Sequence, residues 1–303
     1  MVMSSETDKM MDTVQCCASC GVKEDDDIKL KNCTACYLVK YCSVKCQRNH
    51  RPKHKRACKK RAAELRDELL FKQPESNYLG DCPICFLPLP IEPKKSSMTL
   101  CCCKVICNGC NHANQNREME ANLEKKCPFC RCPVPVSDDE AFVASKLRMK
   151  PNDSTALFQL GMMSLKEKDN KSAFEYLTRA AGLGDMGAHF NLSLIYHHGQ
   201  GVEKDEKKMI YHLDQAAIGG HLKARAYLAS FEGKNGRQNR GIKHLIIAAK
   251  MGCDHSLKAL KNFFQVGIVD KDDFAAALCA HQAAVDATKS PQREAAEASK
   301  RYT

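Results

Sequence analysis

Small apolar residues recur through the second half of the chain at a long, nearly fixed interval. Ala156-x3-Leu160, Ala188-x3-Leu192, Ala224-x3-Leu228 and Ala259-x3-Phe263 follow one another at 32, 36 and 35 residues. Paired alanines form a second series, Ala180-Ala181, Ala216-Ala217, Ala248-Ala249 and Ala283-Ala284, at 36, 32 and 35 residues. An Ala with a Leu four places on shares one helical face. Alanine pairs let two helices approach closely, and the glycines nearby suit helix ends. Two helical segments per mid-thirties period predict stacked helical hairpins, an α-solenoid of about three to four units over residues 138–290. Ahead of it, 61–72 reads as a short helix (AAELRDELLF) followed by a linker to residue 80. Pro133-Val134-Pro135 marks a further break, and 291–303 reads as a charged tail. No apolar run reaches the roughly 18 residues that a membrane span needs.

Composition separates the front of the chain from this pattern. Of 20 cysteines, 18 lie between Cys16 and Cys132. The first 13 residues carry acids and no apolar core of a secretory signal. The expectation is a reducing compartment, cytoplasm and/or nucleus, where clustered cysteines bind metal rather than pair as disulfides.

The first cluster reads Cys17-x2-Cys20-x12-Cys33-x2-Cys36-x5-Cys42-x3-Cys46-x7-His54-x3-Cys58. A C-x2-C turn lets two thiolates converge on one ion, and residues four apart share a helical face. Sets of four thiolate or imidazole ligands specify tetrahedral zinc. So short a segment has too little apolar core to fold alone, so metal would be its main support. Tyr41-Cys42, Cys46-Gln47 and His54-Lys55-x2-Cys58 resemble the MYND zinc finger, here over 14–60. The resemblance implies interleaved sites, with Cys17, Cys20, Cys42 and Cys46 on one zinc and Cys33, Cys36, His54 and Cys58 on the other. The family usually carries a Trp shortly before its His ligand, which helps shape a groove for proline-containing peptides. This chain has Arg51 there, so the resemblance implies zinc more directly than peptide binding.

The second cluster opens with Cys82-Pro83-Ile84-Cys85 and closes with Cys127-Pro128-Phe129-Cys130-Arg131. Between them lie Cys101, Cys102 and Cys103, then Cys107-x2-Cys110. This resembles an all-cysteine RING finger over 81–135. The resemblance implies one zinc on Cys82, Cys85, Cys107 and Cys110. A second would sit on Cys127, Cys130 and two of the central triplet. Cys101 with Cys102 is preferred, because Cys102-x4-Cys107 matches all-cysteine relatives; Cys101 with Cys103 is the alternative. Four zinc ions per chain are therefore expected. The resemblance also implies contacts to a ubiquitin-conjugating enzyme through Ile84 and Pro128, and a clamp on ubiquitin through Arg131.

Within the helical half, Leu192-x3-Tyr196-x2-Gly199-Gln200-Gly201-Val202 and Tyr211-x4-Gln215-Ala216-Ala217-x-Gly219 resemble Sel1-like repeats. These are relatives of the tetratricopeptide repeat and imply a surface for partner proteins. The expected fold is therefore mainly α: two small cross-braced zinc fingers followed by a solenoid of helical hairpins.

The remaining signals are weaker. Gly182-x-Gly184-x2-Gly187 satisfies a dinucleotide pattern, but helix rather than strand precedes it, so it reads as a repeat turn. No zincin motif, Walker lysine or nucleophile elbow occurs, and no side chain is set for covalent catalysis. From Lys45 to Arg61 the chain carries nine Lys/Arg and no acid. The formal charge of +11 falls to about +4 once about 15 ligand thiolates and four zinc ions are counted, and little aromatic interleaving accompanies the basic run. A solvated face is the expectation, not a nucleic-acid site. The functional expectation is a RING-type ubiquitin ligase whose repeats recruit substrate. The alternative is a non-enzymatic scaffold of zinc fingers and repeats for protein–protein interaction.

Overall fold

The computed structural model describes residues 16–99, 101–134, 137, 140 and 153–299. Much of the span expected to open the solenoid, 138–152, lies outside these residues. The chain divides into two compact units at Leu70 and Phe71.

The first unit is a β-hairpin and one long helix. Strands β1 (Lys31–Asn32) and β2 (Lys40–Tyr41) pair antiparallel, Lys31 opposite Tyr41 and Asn32 opposite Lys40. Helix α1 runs from Val44 to Leu70. The sequence predicts a separate short helix from about 62; instead one helix continues from the finger. Pro52 interrupts neither half, and it stands between the turn that carries Cys46 and the turn that carries His54 and Cys58. The helix is mostly polar and buries only His54 and Leu70. Its basic residues are mostly exposed, and Arg61 is paired to Glu64 at 3.3 Å and Glu68 at 2.8 Å.

The second unit begins with a hairpin of β3 (Ser96–Met98) and β4 (Val105–Cys107), with Ser96 opposite Cys107. Helix α2 (Asn108–Glu120) follows directly. Four helical hairpins come next: α3 (Ser154–Lys166) with α4 (Asn170–Gly182), α5 (Met186–His198) with α6 (Glu206–Ile218), α7 (Leu222–Lys234) with α8 (Gln238–Lys250), and α9 (Asp254–Gln265) with α10 (Lys271–Asp286). Each of six helix starts is capped by a side chain accepting a backbone N–H. Asp153, Asp169, Asp185, Asp205 and Asp270 do this with a carboxylate, and His221 with its ring.

The expected repeat marks are buried in the first three hairpins, where Ala188, Ala216, Ala224 and Ala248 have no exposure. The fourth needs correction. Ser256 and Leu260 occupy the buried positions there, not Ala259 and Phe263, so the last spacing is 32 residues like the first. Residues 182–187 are the end of α4, a three-residue turn and the start of α5. That is a repeat turn without a strand.

Two boundary expectations are also corrected. Residues 71–80 are not a free linker but lie on the solenoid. Phe71 packs with Leu222, Ile247, Ala248 and Met251, and its ring lies tilted 4.8 Å from that of His244. Tyr78 lies over His221 at 4.2 Å, and its N–H donates to the Gly220 carbonyl. A Cβ at Gly220 would stand 2.6 Å from the Ser76 oxygen, so only glycine permits this approach. Nor is 291–299 a tail: it forms α11 (Pro291–Ser299), which packs on α2. Apolar and backbone partners at both ends outweigh the polar composition that predicts free segments.

Candidate metal centres

Four tetrads of ligand atoms are gathered among the described residues, each with all members within 4.8 Å of one another. They are Cys17, Cys20, Cys42 and Cys46; Cys33, Cys36, His54 and Cys58; Cys82, Cys85, Cys107 and Cys110; and Cys101, Cys102, Cys127 and Cys130. Tetrahedral zinc with Zn–S of about 2.3 Å sets sulfurs about 3.8 Å apart. The sulfur separations match. Cys20–Cys42 and Cys42–Cys46 are 3.6 Å, Cys33–Cys58 and Cys85–Cys107 3.8 Å, and Cys102–Cys127 3.9 Å. Cys36 lies 3.2 Å from His54 Nε2. In both fingers the first and third ligand pairs meet at one site and the second and fourth at the other. A slip of one site would therefore disturb both.

The backbone explains why C-x2-C converges. In four of the five C-x2-C turns the residue after the second cysteine is left-handed, Gly21 (φ 74), Tyr37 (φ 57), Phe86 (φ 59) and Arg131 (φ 59), whereas Cys107-x2-Cys110 runs into α2. Each left-handed residue donates its N–H to the carbonyl of the first cysteine at 2.8–3.0 Å. The central triplet makes a related turn, with Cys103 left-handed (φ 53) and donating to Thr99. That turn carries Cys101 and Cys102 into the tetrad and leaves Cys103 outside it, buried.

The electrostatics fit a divalent cation. In each tetrad burial raises one thiol, but nearby donors outweigh it. Cys17 and Cys33 come down to about 6, Cys85 and Cys127 to about 7. The N–H groups of Cys42, Cys20 and Ser19 do this at Cys17; the Leu87 N–H and the Arg293 guanidinium do it at Cys85. Their neighbours move the other way. Hydrogen bonding to Cys46 and Cys20 pushes Cys42 up to about 12, and burial with Cys36 and Cys33 pushes Cys58 up to about 11. One thiolate is welcome and further ones repel, which is the deficit that zinc removes. These cysteines and His54 suit zinc, and four ligands on each ion would leave no open position, as in a structural site.

Around the ligands stand residues that spacing did not single out. The Tyr41 hydroxyl lies 3.1 Å from His50 Nδ1, and the His50 ring stacks on His54 at 5.6 Å. In the second finger, buried Glu118 accepts from Lys126 N and Asn114 Nδ2. Asn114 Oδ1 accepts from Arg131 at 3.1 Å. One face of α2 thus holds the last C-x2-C turn and fixes Arg131. Nothing in an Asn-x3-Glu pair announces that role. Of the other expected contact residues, Ile84 packs half-buried beside Cys82 and Leu89, and Pro128 is half-buried with Phe129 exposed next to it.

Residues 17–58 match the MYND finger, and 154–185 and 187–221 match the Sel1 repeat. Two Helicobacter pylori proteins, each named "Putative beta-lactamase HcpC", are 43% identical over 56 residues and 40% over 60. These stretches are 18% and 20% of this chain, and the chain spans about a fifth of the relatives' length, 19% and 21%. Among solved structures, a Sel1 repeat protein from Oxalobacter formigenes aligns at 22% identity and TM-score 0.42, over 59% of this chain and 72% of the other. A protective antigen of uropathogenic Escherichia coli, c5321, aligns at 21% and 0.38, over 54% and 36%. No described helix is long and apolar enough to cross a membrane. The chain carries a MYND finger at residues 17–58 and Sel1 repeats at 154–185 and 187–221, with four ligand sets compatible with zinc.

Proposed function

We propose that the second finger is a RING-type recruiter of a ubiquitin-conjugating enzyme and that the solenoid selects the substrate. The observation that carries this reading is the interleaving of Cys82/Cys85/Cys107/Cys110 with Cys101/Cys102/Cys127/Cys130 in one short finger. It is supported by Ile84 and Pro128, each between two ligands at the tip of its own turn. Arg131 supports it too, since its fork is tethered to Asn114 rather than swinging free. No residue of this chain forms a bond to ubiquitin. The substrate lysine attacks the thioester carbonyl, an amide forms, and the C–S bond breaks with the conjugating enzyme's thiolate leaving. The finger contributes position and orientation. This reading places the chain in the cytoplasm or nucleus, where its thiols stay reduced.

A ubiquitin-discharge assay across a panel of conjugating enzymes tests it. Ile84→Ala should abolish discharge with zinc content unchanged. Loss of one apolar contact of roughly 1.5–3 kcal/mol weakens a micromolar encounter by about ten- to a hundredfold. Arg131→Ala should keep binding and slow discharge. A wild-type protein that binds no conjugating enzyme in the panel rejects the reading. The second reading is then a scaffold without ligase activity. The docking of 71–80 and α11 on their neighbours favours it, since it joins the second finger and the solenoid in one compact unit.

A further inference from the structure

The third zinc site has an unexpected neighbour from the far end of the chain. Arg293, on the first turn of α11, is 7% exposed although it is a cation. Its Nη1 donates to the carbonyls of Pro88 and Thr288, both at 2.7 Å. Its Nη2 donates to the Leu87 carbonyl at 3.2 Å and to Cys85 Sγ at 3.4 Å, across 208 residues of sequence. The helix is seated to allow this. Gly109, between Cys107 and Cys110, has no side chain, and a Cβ there would stand 2.8 Å from Arg293 Cγ and from its backbone nitrogen. Lys95 and Glu297 close the far side of the contact at 3.2 Å. Ser290 Oγ caps the helix by accepting from Arg293 N at 3.3 Å.

Four thiolates around one zinc leave a net charge of about −2 in a partly buried site. A buried guanidinium without that charge nearby would be costly, and a buried dianionic site without a cation equally so. Arg293 supplies such a cation at Cys85. We infer that Arg293 is an outer-sphere residue of the Cys82/Cys85/Cys107/Cys110 zinc. Its docking couples metal occupancy of the finger to folding of the C-terminal helix. Metal binding draws α11 onto the finger, and α11 in turn holds the Cys85 turn in its liganding geometry. Partners of this kind orient ligands and are worth about 10–100-fold in metal affinity.

Zinc release from the full-length, fully loaded chain tests the coupling, with a chromogenic chelator in excess. In Arg293→Met one of the four zincs should leave about 10–100-fold faster, and the other three at the wild-type rate. Arg293→Lys, which keeps the charge without the fork, should fall between. In the cobalt-substituted protein, Arg293→Met should also shift part of the sulfur-to-cobalt charge-transfer band. A helix that merely packs nearby would not alter that band. Should the Met variant fail to fold, Glu297→Lys, which leaves Arg293 and all ligands in place, should still speed release from the same site. A second readout needs no variant: amides of 291–299 should exchange slowly in the zinc-loaded protein and fast in the metal-free one. Wild-type release from all four sites in Arg293→Met, or equal exchange of 291–299 with and without zinc, overturns the inference.

Discussion

A single backbone angle decides which thiols meet. Four of the five C-x2-C turns are followed by a left-handed residue, yet only one of the four, Gly21, is glycine. Tyr37, Phe86 and Arg131 pay for that conformation at about 1–2 kcal/mol each. Phe86 is 77% exposed, so little packing is lost on removing its ring. Phe86→Gly should therefore stabilise the second unit by on the order of 0.5–1 kcal/mol, after the larger unfolded-state entropy of glycine is deducted. Urea unfolding of the zinc-loaded protein checks it, and a clear loss of stability would show that the ring has a packing role. The same angle settles the cysteine triplet. Spacing left Cys102 and Cys103 as rival ligands, because sequence does not display the turn that sends Cys103 aside. A second residue-scale effect lies at His221. Burial holds its pKa down to about 4, with Lys223 adding to the shift. Its ring nitrogen accepts from Ala224 N at 3.2 Å, so only neutral imidazole can cap α7. A histidine whose folded pKa lies below its ordinary value of about 6.5 contributes stability above that value, lost as pH falls toward 4. His212 is likewise pushed down to about 4 by burial, with His189 and Lys208 nearby. Melting temperature should thus fall between pH 6.5 and 4 beyond what loss of zinc explains. His221→Asn, which caps without titrating, should flatten that slope. An unchanged slope would assign the dependence elsewhere.

At the scale of elements, the helices were legible and their boundaries only in part. Alanine pairs and leucines at four-residue spacing mark buried faces in α3 to α8 because small and apolar side chains are needed where helices cross. The last hairpin misled because its buried face is Ser256 and Leu260 in α9 and Ala277 and His281 in α10. A serine and a histidine do not look like core. His281 is satisfied there by Asp254 at 2.8 Å. Helix α1 was legible as two pieces and not as one. Its polarity gives no apolar stripe, and its first half is held by ligands. His54→Ala should therefore act on an element rather than a point. It leaves Cys33, Cys36 and Cys58 with three donors, so one zinc is lost. The hairpin of β1 and β2 and the turns of α1 around Cys58 should then lose exchange protection, while the tetrads of the second finger keep their metal. Elemental analysis and amide exchange measure both. Full metal content in His54→Ala would show that the tetrad is not the working site.

For the whole molecule, sequence reads as beads: two fingers, a linker, a solenoid and a tail. The second unit is instead one body, because segments that look expendable are apolar at the places that count. Phe71 covers Ile247 and Met251 with the help of Arg240, whose guanidinium sits 4.9 Å from the ring centre. Ile91 of the finger joins the same cluster, and Arg293 reaches back to the finger from the last helix. Finger and repeats are thus expected to lose stability together rather than as independent halves. Removing zinc from the second finger frees the Cys85 turn, then α11 and the 88–91 strap, and uncovers apolar surface on α7 and α8. Cys82→Ser, which breaks that tetrad, should leave the far-ultraviolet helical signal near its native value at low temperature, since the hairpins bury their own cores. The melt should nonetheless shift down. A loss of about 2–3 kcal/mol corresponds to roughly 5–10 °C for a unit of this size. Thermal circular dichroism of wild-type and Cys82→Ser chains, both freed of loosely bound metal, makes the comparison. A solenoid melt identical in the two would mean that the contacts of Phe71, Ile91 and Arg293 carry no stability, and that the beads are separate after all.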